Sequence, residues 1–242
     1  MLDAMDTKRS VFWVLALDVI ALSFDFVWVI TLRDRLALSV VLCCLTSLLR
    51  LAFVSRRFDL ALFVIGGILA AASDAVQVAS GVYTYPVIQL WVLPACMLPV
   101  WGQIMLLLRS VLVAAQSLQK TSGSRLSLPS DVIISGAFVA ALLSVCFFYR
   151  TPIIVSVVSS AAALVMLRTR PEAHDLVLML IAAVVGPSAE AILVHNEVYV
   201  FAVATWQRMP LWHPFFWAAS LLFVRRMLPR LLPIDAGSVP HA

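Results

Sequence analysis

The chain has 242 residues, 63% of them hydrophobic and 12% charged, with a mean hydropathy of +1.03. That composition excludes a soluble globular fold and places the chain among integral membrane proteins. The formal charge of +4 is scattered among apolar runs, so there is no folded basic domain to bind nucleic acid.

A hydrocarbon core of about 30 Å needs about 20 mainly apolar residues per helix. Eight such runs are predicted, at 11–31, 36–54, 59–80, 88–108, 132–149, 152–168, 175–195 and 210–228. The expected fold is an all-α membrane protein of eight transmembrane helices. Seven is the alternative, because several runs are short or contain charge.

In chain order, Asp3 and Asp6 precede the first run and Asp18 and Asp25 interrupt it, so it reads as a retained helix and not as a cleaved signal. Asp18 and Asp25 are seven residues apart, two turns along one helix face. Arg50, toward the end of the second run, is the nearest candidate counter-charge. Asp59 stands just before the third run, where a carboxylate is expected to cap the helix. Asp74 precedes Tyr83 by nine residues. At about 1.5 Å per residue it lies about 13 Å below that tyrosine, near the membrane midplane.

The connection Val82-Tyr83-Thr84-Tyr85-Pro86 is aromatic, and its tyrosines are expected as interfacial anchors, together with Tyr199, Trp206 and Trp212. Pro94 and Pro99 fall at the start of the fourth helix, where a kink would shape an outward-facing cavity. The polar, breaker-rich stretch 119–131 reads as a cytoplasmic linker between a first repeat over 1–118 and a second over 132–230, with a tail at 231–242.

The two halves correspond at a fixed offset of 116 residues. Asp59 recurs as Asp175, Ala75 as Ala191, Val82 as Val198, Tyr83 as Tyr199, Pro94 as Pro210, Trp101 as Trp217 and Arg109 as Arg225, while Asp74 is answered by Glu190. Two parallel four-helix repeats, produced by duplication, are therefore expected. The fifth run lacks acids matching Asp18 and Asp25, which predicts one asymmetric site.

Lys and Arg concentrate on one side when the N-terminus is placed inside, with only Arg33, Arg35, Arg150 and Arg208 left outside. A bacterial inner-membrane location with both termini cytoplasmic is expected. Cys43, Cys44, Cys96 and Cys146 fall within runs and lack the spacing of a metal site or disulfide framework. His195 and His213 read as interfacial, and no metal or cofactor is expected.

Ionisable residues at midplane cost about 2.5–3.5 kcal/mol on insertion scales and mark functional sites by default. Asp74, Glu190, Asp18 and Asp25 are therefore the candidate catalytic acids. Tyr83, Trp91, Trp101, Tyr199, Trp212 and Trp217 are the candidate substrate-binding lining, able to stabilise developing positive charge. The expected partner is a membrane lipid or an apolar small molecule, with oligomeric state open. Structural roles compete: Asp74 with Ser73 and Gln77 as an interhelical cluster, and Glu190 bonded to carbonyls freed by Pro187, with Gly186 as a close packing point. Lys8 and Lys120 lie outside the runs, which excludes an intramembrane Schiff base. Phosphate-binding glycine loops and HExxH, CxxC and aspartate-rich diphosphate motifs are missing. Ser188 lacks the second glycine of a nucleophile elbow.

The stretch from Asp74 through Gly81-Val82-Tyr83 and Pro94 to Trp101 resembles a family of uncharacterised bacterial multi-pass inner-membrane proteins, and the resemblance implies that location without an activity. A looser likeness to small integral-membrane terpene cyclases implies paired acids that protonate an isoprenoid. The expected function is thus acid catalysis on a lipid or isoprenoid. A small proton- or cation-coupled carrier and a non-catalytic scaffold or subunit are the alternatives.

Overall fold

A computed structural model describes residues 2–56, 58–117, 128–169, 171–172 and 174–231. These residues form eight helices. They are α1 (Leu2–Thr31), α2 (Leu36–Phe53), α3 (Asp59–Ala79), α4 (Met97–Ser117), α5 (Leu128–Phe148), α6 (Pro152–Thr169), α7 (Asp175–His195) and α8 (His213–Leu231). All but α8 are long and apolar enough to cross a membrane. The chain is a multi-pass membrane protein. Arg225, Arg226 and Arg230 interrupt the apolar character of α8. Large apolar side chains such as Leu48, Leu69, Ile153 and Val184 point outward. In a bilayer, lipid tails solvate such faces.

Helix boundaries differ from expectation where prolines concentrate. The fourth helix starts at Met97, not near 88, because residues 86–96 turn between Pro86 and Pro94, with Leu90 and Leu93 bridged and Trp91 left-handed. The eighth starts at His213 after an equivalent Trp206–Met209 bridge with Gln207 left-handed. Pro99 and Pro214 lie in the first turns of α4 and α8, where a backbone N–H has no helical partner to lose. They need no kink, so the cavity expected from one has no such cause.

Helices α3 and α7 begin and end alike. Phe58 and His174, just before them, are left-handed at φ 71° and 63°. Both helices close on Schellman turns: Gly81 and Glu197 are left-handed, and the N–H groups of Val82 and Val198 reach back to the carbonyls of Gln77 and Leu193, each at 3.0 Å. The following segments pair as antiparallel strands, β1 (Tyr83–Thr84) against β2 (Val200–Phe201), with Tyr83 opposite Phe201 and Thr84 opposite Val200. A two-stranded ribbon this short needs packed side chains, and Tyr83, Tyr85, Tyr199, Phe201 and Trp212 supply them.

The described residues fall into two compact units. One contains α1, α2, α4 and most of α3; the other contains residues 76–86 and α5 to α8. The second unit has an apolar core of Ile134, Ala141, Ala162, Ala163, Met166, Ala219 and Leu222, flanked by Phe138 and Phe223 stacked 4.1 Å apart. Most of the expected linker at 119–131 lies outside the described residues, but Pro129, Ser130 and Asp131 belong to α5. The tail from 232 also lies outside them.

Candidate functional site: buried acids and their partners

In the first unit, helices α1 to α4 each contribute to one buried charged chain. Asp18 on α1 accepts from Arg50 Nε at 2.5 Å and Nη2 at 3.1 Å, from Gln103 Nε2 at 3.3 Å and from Ser110 Oγ at 2.5 Å. Arg50 also donates through Nη1 to Asp59 Oδ2 at 2.5 Å and to the Val54 carbonyl at 2.9 Å. The other oxygen of Asp59 accepts from Arg109 Nη1. Signs therefore alternate from Asp18 through Arg50 and Asp59 to Arg109. Arg50 is fixed by two carboxylates and does not extend to a surface.

The expected helix cap at Asp59 takes a different form. Phe58 occupies the cap position and makes no side-chain cap bond. Asp59 instead closes the preceding turn, its Oδ2 accepting the Arg56 N–H at 3.1 Å while its own N–H donates to the Arg56 carbonyl at 3.0 Å. Asp175 does the same with Glu172, at 2.8 and 3.3 Å. Asp175 also pairs with Arg225 Nε at 3.2 Å and with Arg226, and Glu172 lies 3.2 Å from Arg225 and 3.4 Å from Arg226. Breaking such a buried pair costs far more than the pair contributes net, because the remaining charge keeps its desolvation penalty.

Deeper in the spans, each acid meets a tryptophan. Trp101 Nε1 donates to Asp74 Oδ2 at 3.2 Å, and Trp217 Nε1 to Glu190 Oε1 at 2.8 Å. Glu190 also takes the Tyr199 hydroxyl at 2.5 Å and lies 3.0 Å from His213 Nε2. These donors replace the carbonyls expected around Pro187. Gly186, one turn before Glu190, makes the arrangement possible, since a Cβ there would stand 2.3 Å from the Trp217 ring. The close helix contact expected at Gly186 is thus a helix-to-indole contact.

The predicted lining divides. Tyr83, Tyr85, Tyr199 and Trp212 are buried in one aromatic cluster and are not interfacial anchors. The strand pairing covers them. Trp101 and Trp217 are ligands of the acids. Trp91 is 82% exposed, so it lines no enclosed cavity; Trp206, at 71%, fits an interfacial position. Both carboxyl oxygens of Asp25 are buried without a hydrogen-bond partner among the described residues, beside the Cys43 thiol, which lies 3.9 Å from the Asp25 carbonyl oxygen. His213 is buried.

The sequence reading missed Gln103, Ser110, Glu172, His213, Arg109, Arg225 and Arg226 as site residues. For the last three a signal existed, since Arg109, directly after the fourth run, recurs as Arg225, and Arg225 and Arg226 lie inside the eighth. Arg56, in the connection between α2 and α3, is also buried, and burial lowers its pKa from the usual arginine value.

No protein-family model matches the chain, and no curated protein does. Two solved structures share its fold. One is a mycobacterial Insig homologue from Mycobacterium vanbaalenii, 16% identical, covering 71% of this chain and 93% of that one with a TM-score of 0.57. The other is a cross-linked trimer of a variant of the same protein, 16% identical, covering 77% and 98% with a TM-score of 0.59. These matches support a helical membrane fold, and the expected terpene-cyclase likeness finds no support in them.

Proposed function

We propose that this chain is a non-catalytic membrane scaffold that works by assembling within the bilayer, built by duplication and oriented with both termini in the cytoplasm. One observation carries the reading: three of the four intramembrane acids, Asp18, Asp74 and Glu190, are engaged by side chains of other helices or connections, Asp25 being the exception. A cyclase acid must hold a proton free to give to its substrate. Asp18 and Glu190 instead accept on both oxygens, and Asp74 is held by Trp101, so all three act as cross-links between helices. Agreement of local geometry at positions 116 apart supports the duplication, and the Lys and Arg bias supports the orientation. The trimeric capture of the mycobacterial protein supports self-association as the form of assembly.

The test compares cells expressing the chain, the double variant Asp74→Asn/Glu190→Gln, or neither, by lipid mass spectrometry, with native mass spectrometry of the purified protein. The expected result is an unchanged lipid extract in all three and one defined oligomer for the wild type that weakens in the variant. A lipid or isoprenoid species that appears with the wild type and vanishes in the double variant would overturn the reading.

A further inference from the structure

The turns before α3 and α7 share a backbone and differ in the sign of one residue. At the 116-residue offset, Arg56 stands where Glu172 stands. Each donates its N–H to the carboxylate, and accepts at its carbonyl the N–H, of the aspartate three residues on. In the second cluster Glu172 supplies a second carboxylate, so Asp175 and Glu172 face Arg225 and Arg226 two against two. In the first, Asp18 and Asp59 already balance Arg50 and Arg109. Arg56 adds a third guanidinium with no third carboxylate among the described residues.

Arg56 is only 8% exposed, and its Nη1 has no hydrogen-bond partner; Nε of Arg109 lacks one as well. A buried guanidinium without a counter-ion is costly. Its pKa is lowered by burial first, with Asp59 opposing and the charges of Arg109 and Arg50 adding to the fall. Arg56 lies between the spans Leu36–Phe53 and Asp59–Ala79, at a membrane boundary where lipid phosphates gather.

We propose that Arg56 binds a phosphate-bearing anion at this boundary, from an anionic phospholipid headgroup or from free phosphate, which completes the charge balance that Glu172 provides in the second half. A guanidinium matches phosphate through two parallel hydrogen bonds, and Arg109 adds to the positive field.

The experiment measures thermal unfolding of the full chain in detergent with phosphatidylglycerol, phosphatidylcholine or inorganic phosphate added, for wild type, Arg56→Gln and Arg56→Glu. Phosphatidylglycerol is expected to raise the wild-type midpoint while phosphatidylcholine does not. Apparent affinity is expected to fall about tenfold or more in Arg56→Gln. Arg56→Gln leaves Asp18 and Asp59 two against two with Arg50 and Arg109, the balance of the second cluster, so it folds without ligand; Arg56→Glu places a third carboxylate there and shows no lipid-dependent shift. A rise with inorganic phosphate alone, also lost in Arg56→Glu, assigns the same site to free phosphate. No rise with either ligand, an equal rise with phosphatidylcholine, or a rise that persists unchanged in Arg56→Glu overturns the proposal.

Discussion

Where the first half fills its interior with Asp18, Asp25, Arg50 and Gln103, the second half, 116 residues on, has Ile134, Ala141, Met166 and Ala219. The same exchange runs along the second helix of each half: Ser39, Thr46 and Ser47 give way to Val155, Ala162 and Ala163. All of the second set named here are buried, and all but Thr46 of the first are fully or nearly so. Burial therefore does not dictate chemistry at these positions. Apolar residues fill the space through packing, whereas the ionic set depends on pairing such as that of Asp18 with Arg50.

Arg50→Met is expected to have the largest effect. It imports the residue of the second half at position 166, but leaves Asp18 without its cation and Asp59 with Arg109 alone. A loss of about 3–5 kcal/mol in unfolding free energy is expected. The quadruple change Asp18→Ile, Asp25→Ala, Arg50→Met, Gln103→Ala completes the apolar set, and its stability should return to the wild-type level or rise by roughly 1–4 kcal/mol. If the quadruple variant stays as unstable as Arg50→Met, the two interiors are not interchangeable solutions and the comparison fails. Met166→Ala probes the apolar side and is expected to cost about 2–5 kcal/mol through the cavity it leaves. Guanidinium or detergent titration of purified protein measures all three.

Much of the frame was legible in the sequence because a bilayer demands long apolar runs, and the helices follow them except where Pro86 and Pro94 hold a bridged turn in place of the expected start of α4. The acids were legible too, since a carboxylate in an apolar run stands out. Their partners were not. Asp18 meets Arg50 across 32 residues and Ser110 across 92, and an arginine near a helix end carries the same sequence signal whether it snorkels or turns inward. Tyr83, Tyr85 and Tyr199 misled for a related reason: a tyrosine suits an interface and a covered aromatic cluster equally, and only the β1–β2 pairing decides between them.

The smallest expected effect concerns the two acid–tryptophan pairs. Gly186 lets the Trp217 ring lie against α7, whereas Ala70, its counterpart, already carries a Cβ, and there the indole-to-acid bond is longer, 3.2 Å for Trp101–Asp74 against 2.8 Å for Trp217–Glu190. Gly186→Ala should push the indole off α7 at a cost of about 1–3 kcal/mol from overpacking. Ala70→Gly meets no such ring and should cost only about 0.5–1 kcal/mol of helix propensity. Tryptophan fluorescence separates displacement from a general loss of stability. With Trp217 kept as the single tryptophan, its emission should shift in Gly186→Ala at temperatures well below unfolding, because the indole loses the Glu190 carboxylate. Unchanged emission and stability in Gly186→Ala would mean that α7 and α8 adjust together, and that the glycine does not set the position of the indole.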